Sequence, residues 1–250
     1  MSKPSGAIDM TQGKPINLML RFALPMMIGS IFQSLYSMVD SAVLGRFVGS
    51  HALAAIGATT STTGLILLLA TGVTSAISIV LSQYVGANDT DRVRKGIVAS
   101  GWITLLLGVV LGLISVFAAR PLMQLLKTPE DVIDMSVLYI QIVCGCGIAQ
   151  FAYNAAASIL RALGDSKTPL YFLILCSILN VILDLISVIG LNMGVAGVAV
   201  ATVGSQAISA AICILVMFRK YPDLMPKRHT LRPDMPVSLK IFGMGAQMAL

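Results

Sequence analysis

Residues 17–49, NLMLRFALPMMIGSIFQSLYSMVDSAVLGRFVG, form a long apolar run that carries one carboxylate, Asp40, in its outer third. A charged side chain at the centre of a bilayer helix costs about 2.5 to 3.5 kcal/mol on insertion scales. Such an acid is therefore kept for a partner, an ion or a water-filled cavity. Pro25 removes a backbone donor from the same run and Gly29 follows four residues later, so a bend near Pro25 is expected. As one helix the run would be about 45 Å long, more than the roughly 30 Å hydrocarbon core, and it must tilt, bend or protrude.

The other residues repeat the apolar character of this run. The 250-residue chain is 56% hydrophobic and only 11% charged, against about 25% charged in soluble domains. Apolar segments recur at approximately 17–46, 52–84, 94–119, 136–160, 170–191 and 195–218, and a seventh begins near Leu239. GANDTDRVRKG, RPLMQLLKTPED, RALGDSKTP and GLNMG read as the turns between them. The expected fold is an all-α membrane protein, a six-transmembrane-helix bundle, with no sizeable soluble domain. The first fifteen residues carry Pro and Gly where a signal peptide needs an apolar stretch, so the first helix is expected to act as its own insertion signal.

Several function classes lose support at once. Cys144, Cys146, Cys176 and Cys213 all lie in apolar runs, without a CxxC pair or Cys/His metal spacing, and read as small packing residues. His51 and His229 fall in separate loops, and no Walker A, GxSxG or HExxH motif occurs, so the chain is not expected to be an enzyme. Without a nucleotide-binding loop, transport would draw on an ion gradient or a separate motor subunit. The net charge of +6 is a topology signal, because a cytoplasmic N-terminus places fourteen of the seventeen Lys and Arg residues on the cytoplasmic side. Arg46, Arg120 and Lys127 alone fall outside. Nucleic acid is not an expected partner; the bilayer, with its anionic headgroups, suffices.

Polar stripes mark the helix faces. Ser30, Gln33, Ser37 and Asp40 lie at i, i+3, i+7 and i+10 on the first helix, and Ser177, Asn180, Asp184 and Ser187 repeat that spacing on the fifth. Gln150, Asn154 and Ser158 share a face of the fourth, and Thr202, Gln206 and Ser209 a face of the sixth. An isolated Ser or Thr in a membrane helix commonly bonds its own backbone or a neighbouring helix. The acids differ: unpaired at mid-membrane, Asp40 and Asp184 together would cost about 5 to 7 kcal/mol, and no basic residue lies at comparable depth in the second to sixth segments. The compensating charge is then a proton, a metal cation or a cationic substrate. Carboxylate, amide and hydroxyl oxygens make a hard-ligand set suited to a small hard cation, and the same acids in a low dielectric could carry protons instead. Tyr36, Tyr139 and Tyr153 are positioned either to line a cavity or to anchor and pack.

With these motifs in hand, the chain resembles the multidrug and toxic compound extrusion (MATE) family of cation-coupled transporters. The matching stretches are LRFALPMMIGSIFQSLYSMVDSAVLGRFVG, ALAAIGATT, SQYVGANDTDRVRKG, ILRALGDSKTPLY and ILNVILD. The resemblance implies one six-helix lobe of a twelve-helix transporter, plus the start of a seventh helix. It implies a cytoplasmic tail at 1–14, the lobe at 15–218, a basic cytoplasmic connector at 219–238 and a truncated start of the second lobe at 239–250. A second six-helix lobe is expected beyond residue 250, the chain being a fragment. It also implies a cation or proton site at Asp40, Asn180, Asp184 and Thr202, with Asp40, Asn180 and Asp184 as Na+ ligands in the sodium-coupled case. The substrate cavity would use Gln33, Tyr36, Tyr139 and Asn154. No cofactor is implied beyond the coupling Na+ or H+, and the substrate would be a small, often cationic and amphipathic organic compound exported across the cell membrane. Two other readings stand beside this antiporter: a lipid-linked oligosaccharide flippase or polysaccharide exporter of the same superfamily, and a non-transporting membrane scaffold. The first would want basic residues in its cavity; the second predicts that both acids are dispensable.

Overall fold

The computed structural model describes residues 15–224, 226 and 232–249. The expected tail at 1–14 and part of the expected connector, with Lys227 and Arg228, lie outside the described residues. Within them the chain forms eight α-helices: α1 (Pro15–Phe47), α2 (Ser50–Gly86), α3 (Thr90–Leu125), α4 (Glu130–Gly145), α5 (Ile148–Ala162), α6 (Lys167–Asp184), α7 (Gly194–Lys220) and α8 (Met235–Ala249). A π-helical turn, Leu185–Gly190, prolongs α6. Four helices, α2, α3, α6 with its π turn, and α7, are long and apolar enough to cross a membrane, and α4 with α5 makes a fifth, bent crossing. The 33-residue α1, with Pro25 inside it, is the remaining long helix of the bundle.

Two segments depart from the sequence reading. The fourth was expected as one helix over 136–160, but it is broken at Cys146–Gly147, where α4 and α5 meet at 43°. Two glycines of low helix propensity flank Cys146, and the backbone of α3 approaches them closely. A Cβ on Gly112 would stand 2.9 Å from the Gly145 carbonyl oxygen, and one on Gly108 3.1 Å from the Ile148 Cα. Gly108 and Gly112 thus form a small-xxx-small contact that lets α3 pass against the break. The third segment was expected to end near residue 119, with RPLMQLL in a turn; α3 instead continues through Pro121 to Leu125. Met123, fully buried in a cluster with Ile140 and Cys144, supplies the tertiary contact that outweighs the proline.

Helix ends follow local chemistry. Asp89 caps α3, accepting from the Arg92 backbone N–H at 3.0 Å. Asp165, one residue before the N-cap Ser166 of α6, accepts from the Thr168 N–H at 3.1 Å. The main core is built by α2, α3, α5 and α7 around Ile77, Leu81, Ile97, Ile159 and Leu160, and Val237 and Ile241 of α8 join it. α8 packs along α2 so closely that a Cβ on Gly245 would meet the Val73 Cα at 3.0 Å. A second cluster, Val43, Leu44, Val188, Val195 and Val198, fastens the C-terminal end of α1 to the π turn and α7. That cluster sets the depth and facing of Asp40. Cys144, Cys176 and Cys213 are buried as packing residues, whereas Cys146 at the break is exposed.

Candidate ion and substrate site

The serines of α1 satisfy themselves. The Ser30, Ser34, Ser37 and Ser41 hydroxyls each donate to the carbonyl four residues back, at 3.0 to 3.2 Å. Ser177 does the same toward Leu173 at 2.9 Å. Removing these from the stripes of α1 and α6 leaves Gln33 and Asp40 on the first and Asn180, Asp184 and Ser187 on the second. Asp184 is fully buried and Asn180 is 1% exposed, both on the face of α6 that meets α1 and α7. The Asp40 and Asp184 carboxyls are neighbours where α1 packs on α6. The Asn180 amide donates to the Thr202 hydroxyl at 3.5 Å, and that hydroxyl donates to the Val198 carbonyl at 2.9 Å.

Four oxygens of this group accept nothing from the protein: Asp40 Oδ1, Asn180 Oδ1 and both carboxylate oxygens of Asp184. A buried acceptor without a donor is costly, and two facing carboxylates add mutual repulsion. A single cation or proton placed among them relieves both. The donor set, all oxygen and doubly acidic, fits a hard monovalent ion or H+. Among the described residues no group of three or more His, Cys, Asp and Glu side chains gathers as a metal cluster. Immediately after Asp184 the chain passes into the π turn, the kind of helix irregularity frequent at functional sites.

Beside this group lies a cavity of about 270 Å³ lined by Tyr36, Tyr139, Thr60, Thr63, Gln150, Phe151, Thr202 and Gln206, among others. Of the expected cavity residues, Tyr36 and Tyr139 line it. Gln33 is exposed on α1 next to Tyr36 rather than in the wall, and Asn154 is partly buried outside the lining. Tyr153 turns away and donates its hydroxyl to the Pro169 carbonyl at 3.0 Å. Thr60 and Thr63 of α2 are wall residues absent from the sequence reading; the clustered ATTSTTG of α2 was their one available signal. Tyr36, Tyr139 and Thr202 belong to both places: Thr202 bonds Asn180, and Tyr139 neighbours Asp40, Tyr36 and Asp184. Pro25 is buried inside an α1 that runs as one helix from Pro15 to Phe47, and at Gly29 a Cβ would come within 3.1 Å of Leu173 of α6.

Comparison with known proteins places this architecture. The family model described as MatE matches residues 25–186. The chain belongs to the MatE family. It is a multi-pass membrane protein, and its family is one of transporters rather than enzymes. A MatE relative, the probable multidrug resistance protein YpnP of Bacillus subtilis (strain 168), is 34% identical over 205 residues, which span 81% of this chain and 46% of the relative. A MATE crystal structure in the bent conformation shares 25% identity with a TM-score of 0.87 over 95% of this chain and 53% of that one. Another, in the straight conformation, shares 25% identity with a TM-score of 0.86 over 99% of this chain and 55% of that one. The chain thus spans about half the length of the curated relatives it matches.

Proposed function

We propose that this chain is the first lobe of a cation-coupled antiporter that exports organic compounds, often cationic and amphipathic drugs. The observation that carries the reading is the shared wall. Tyr36 and Tyr139, electrostatic neighbours of Asp40, and Thr202, bonded to Asn180, all line the cavity as well, so an occupant of one place perturbs the other. In this reading Na+ or H+ entering at Asp40 and Asp184 favours one state, and cargo in the cavity favours the other. That opposition is the differential binding an exchanger needs. Asn180 and Thr202 complete the ion's oxygen shell, and no cofactor beyond the ion takes part.

Further features fit. The name of the Bacillus relative supports drug export. The existence of bent and straight conformations of related transporters supports a switch, which we assign to α1 flexing about Pro25 where Gly29 rides on α6. The Lys and Arg distribution supports a cytoplasmic N-terminus in the cell membrane. The half-length match supports a second six-helix lobe as the partner that closes the cavity, with α8 as its first helix.

The test is gradient-driven efflux by the full-length protein in everted vesicles. Asp40→Asn and Asp184→Asn are each expected to insert normally and to lower coupled efflux at least about 100-fold, the scale of losing one buried charged contact of about 3 kcal/mol. Wild-type efflux by both variants overturns the assignment.

A further inference from the structure

Arg161 sits in the last turn of α5, beyond the cavity lining. Gln150 lines the cavity, and Asn154, Ser158 and Arg161 follow it at i+4, i+8 and i+11. Eleven residues are about three turns, so Arg161 comes back to the azimuth of Gln150, about 16 Å farther along the axis. It stands at the end of the bundle where the connector leaves, near the Asp165–Lys220 pair.

Its guanidinium has almost no partner there. A planar group with five donors makes one hydrogen bond among the described residues, from Nη2 to the Ser158 hydroxyl at 2.9 Å, and it is only partly accessible. The ionisable groups acting on it are Tyr153 and Cys213, neither of them an anion at neutral pH. Asp165, four residues on, is the obvious counter-charge and is taken elsewhere. Its carboxylate receives the Lys220 ammonium and the Thr168 hydroxyl, both at 2.6 Å, and the Thr168 N–H. Among the described acids at this end, Asp89 pairs with Arg92, Asp91 with Arg94 and Asp234 with Lys95, and the exposed Asp223 makes no ion pair with Arg161. The acid nearest in sequence pairs with the lysine, and the bidentate, phosphate- and carboxylate-shaped fork of the arginine has no carboxylate partner among the described residues.

We infer that Arg161 is an oxyanion-binding position at the connector end of the α5 stripe, taking the carboxylate or phosphate group of a bound amphiphile. The amphiphile is either a zwitterionic cargo on its way to the cavity or an anionic lipid headgroup. The cargo form rests on the proposed transport function; the lipid form does not.

Binding to the purified full-length protein in neutral phosphatidylcholine nanodiscs separates these cases without requiring transport. The probes are rhodamine 110, which bears a carboxylate, and rhodamine 123, its methyl ester, both read by fluorescence polarisation. With cargo as the source, the ratio of the rhodamine 110 Kd to the rhodamine 123 Kd rises at least about tenfold in Arg161→Gln, the scale of one lost charged hydrogen bond, and Arg161→Lys restores part of it. With lipid as the source, that ratio holds, and phosphatidylglycerol co-purifying with the wild-type protein is lost from Arg161→Gln and regained in Arg161→Lys. An unchanged ratio together with unchanged phosphatidylglycerol retention overturns the inference and leaves Arg161 as a residue reaching for the interface. Selective dye binding by a protein that shows no gradient-driven efflux would sustain the inference while defeating the proposed antiport.

Discussion

Asp165 shows how much one loop residue can hold. Its side chain is fully buried and gathers the Lys220 ammonium and the Thr168 hydroxyl and N–H, with the Tyr221 hydroxyl at 3.5 Å, tying the start of α6 to the end of α7. Burial alone would push its carboxyl up, but the hydrogen bonds from Lys220 and Thr168 outweigh burial and hold it below the ordinary 3.8. A depressed carboxyl stabilises the fold above its unfolded value and loses that contribution as the pH falls through the folded one. Thermal stability in detergent is therefore expected to decline below about pH 4 in the wild type and to respond less in Asp165→Asn. At pH 7 that variant is expected to be destabilised by about 2 to 3 kcal/mol. This is the low end for a broken buried pair, since Lys220 keeps 25% exposure. A variant with unchanged melting temperature and the same acid response would contradict this. Asp165 was hard to read beforehand because RALGDSKTP has the composition of a plain turn. Asp40 and Asp184 were legible for the opposite reason: a carboxylate in an apolar run has no cheap explanation. Thr60 and Thr63 were not, since hydroxyls that bond their own helix, as both do here, have the same periodicity as hydroxyls that line a cavity.

At the scale of elements, the apolar runs located the long helices, and tertiary approach decided where they break. The 136–160 segment has continuous apolar character, so periodicity reads through Gly145-Cys146-Gly147. The break appears once Gly108 and Gly112 bring α3 against it, a contact between segments some thirty residues apart. Val143, Cys144, Gly147, Gln150 and Phe151 on both sides of the bend line the cavity, so the 43° angle also shapes the wall. Gly112→Leu is expected to force its side chain into the Gly145 carbonyl and to destabilise the protein by about 2 to 3 kcal/mol, in the upper part of the range for overpacking. Gly101→Leu, where the added Cβ meets nothing within 4 Å, is the control and should leave the melting temperature near that of the wild type. Equal melting temperatures for the two variants would show that the close approach carries no constraint. The π turn after Asp184 was likewise unreadable, because no residue pattern separates 170–191 from an ordinary helix.

Across the whole molecule, the connector is strapped to the lobe. Arg94 donates to the Asp223 carbonyl at 2.6 and 2.8 Å, Lys95 pairs with Asp234 at 2.9 Å, and Lys240 of α8 donates to Gln83 at 3.0 Å. α8 is thereby held along α2 and α3, while the acid pair lies toward the other end, secured by the Val43 and Leu44 cluster. The bundle thus has a basic, cross-tied end, a cavity within it, and two facing acids where α1 meets α6. The central claim is that those acids hold the ion that cargo displaces. The direct measurement is ion release from the full-length protein on cargo addition, followed with a pH dye in weak buffer and with radioactive sodium in parallel. The account predicts release of one ion species by the wild type and none by Asp184→Asn, with cargo still bound. Equal release from the wild type and Asp184→Asn would contradict it.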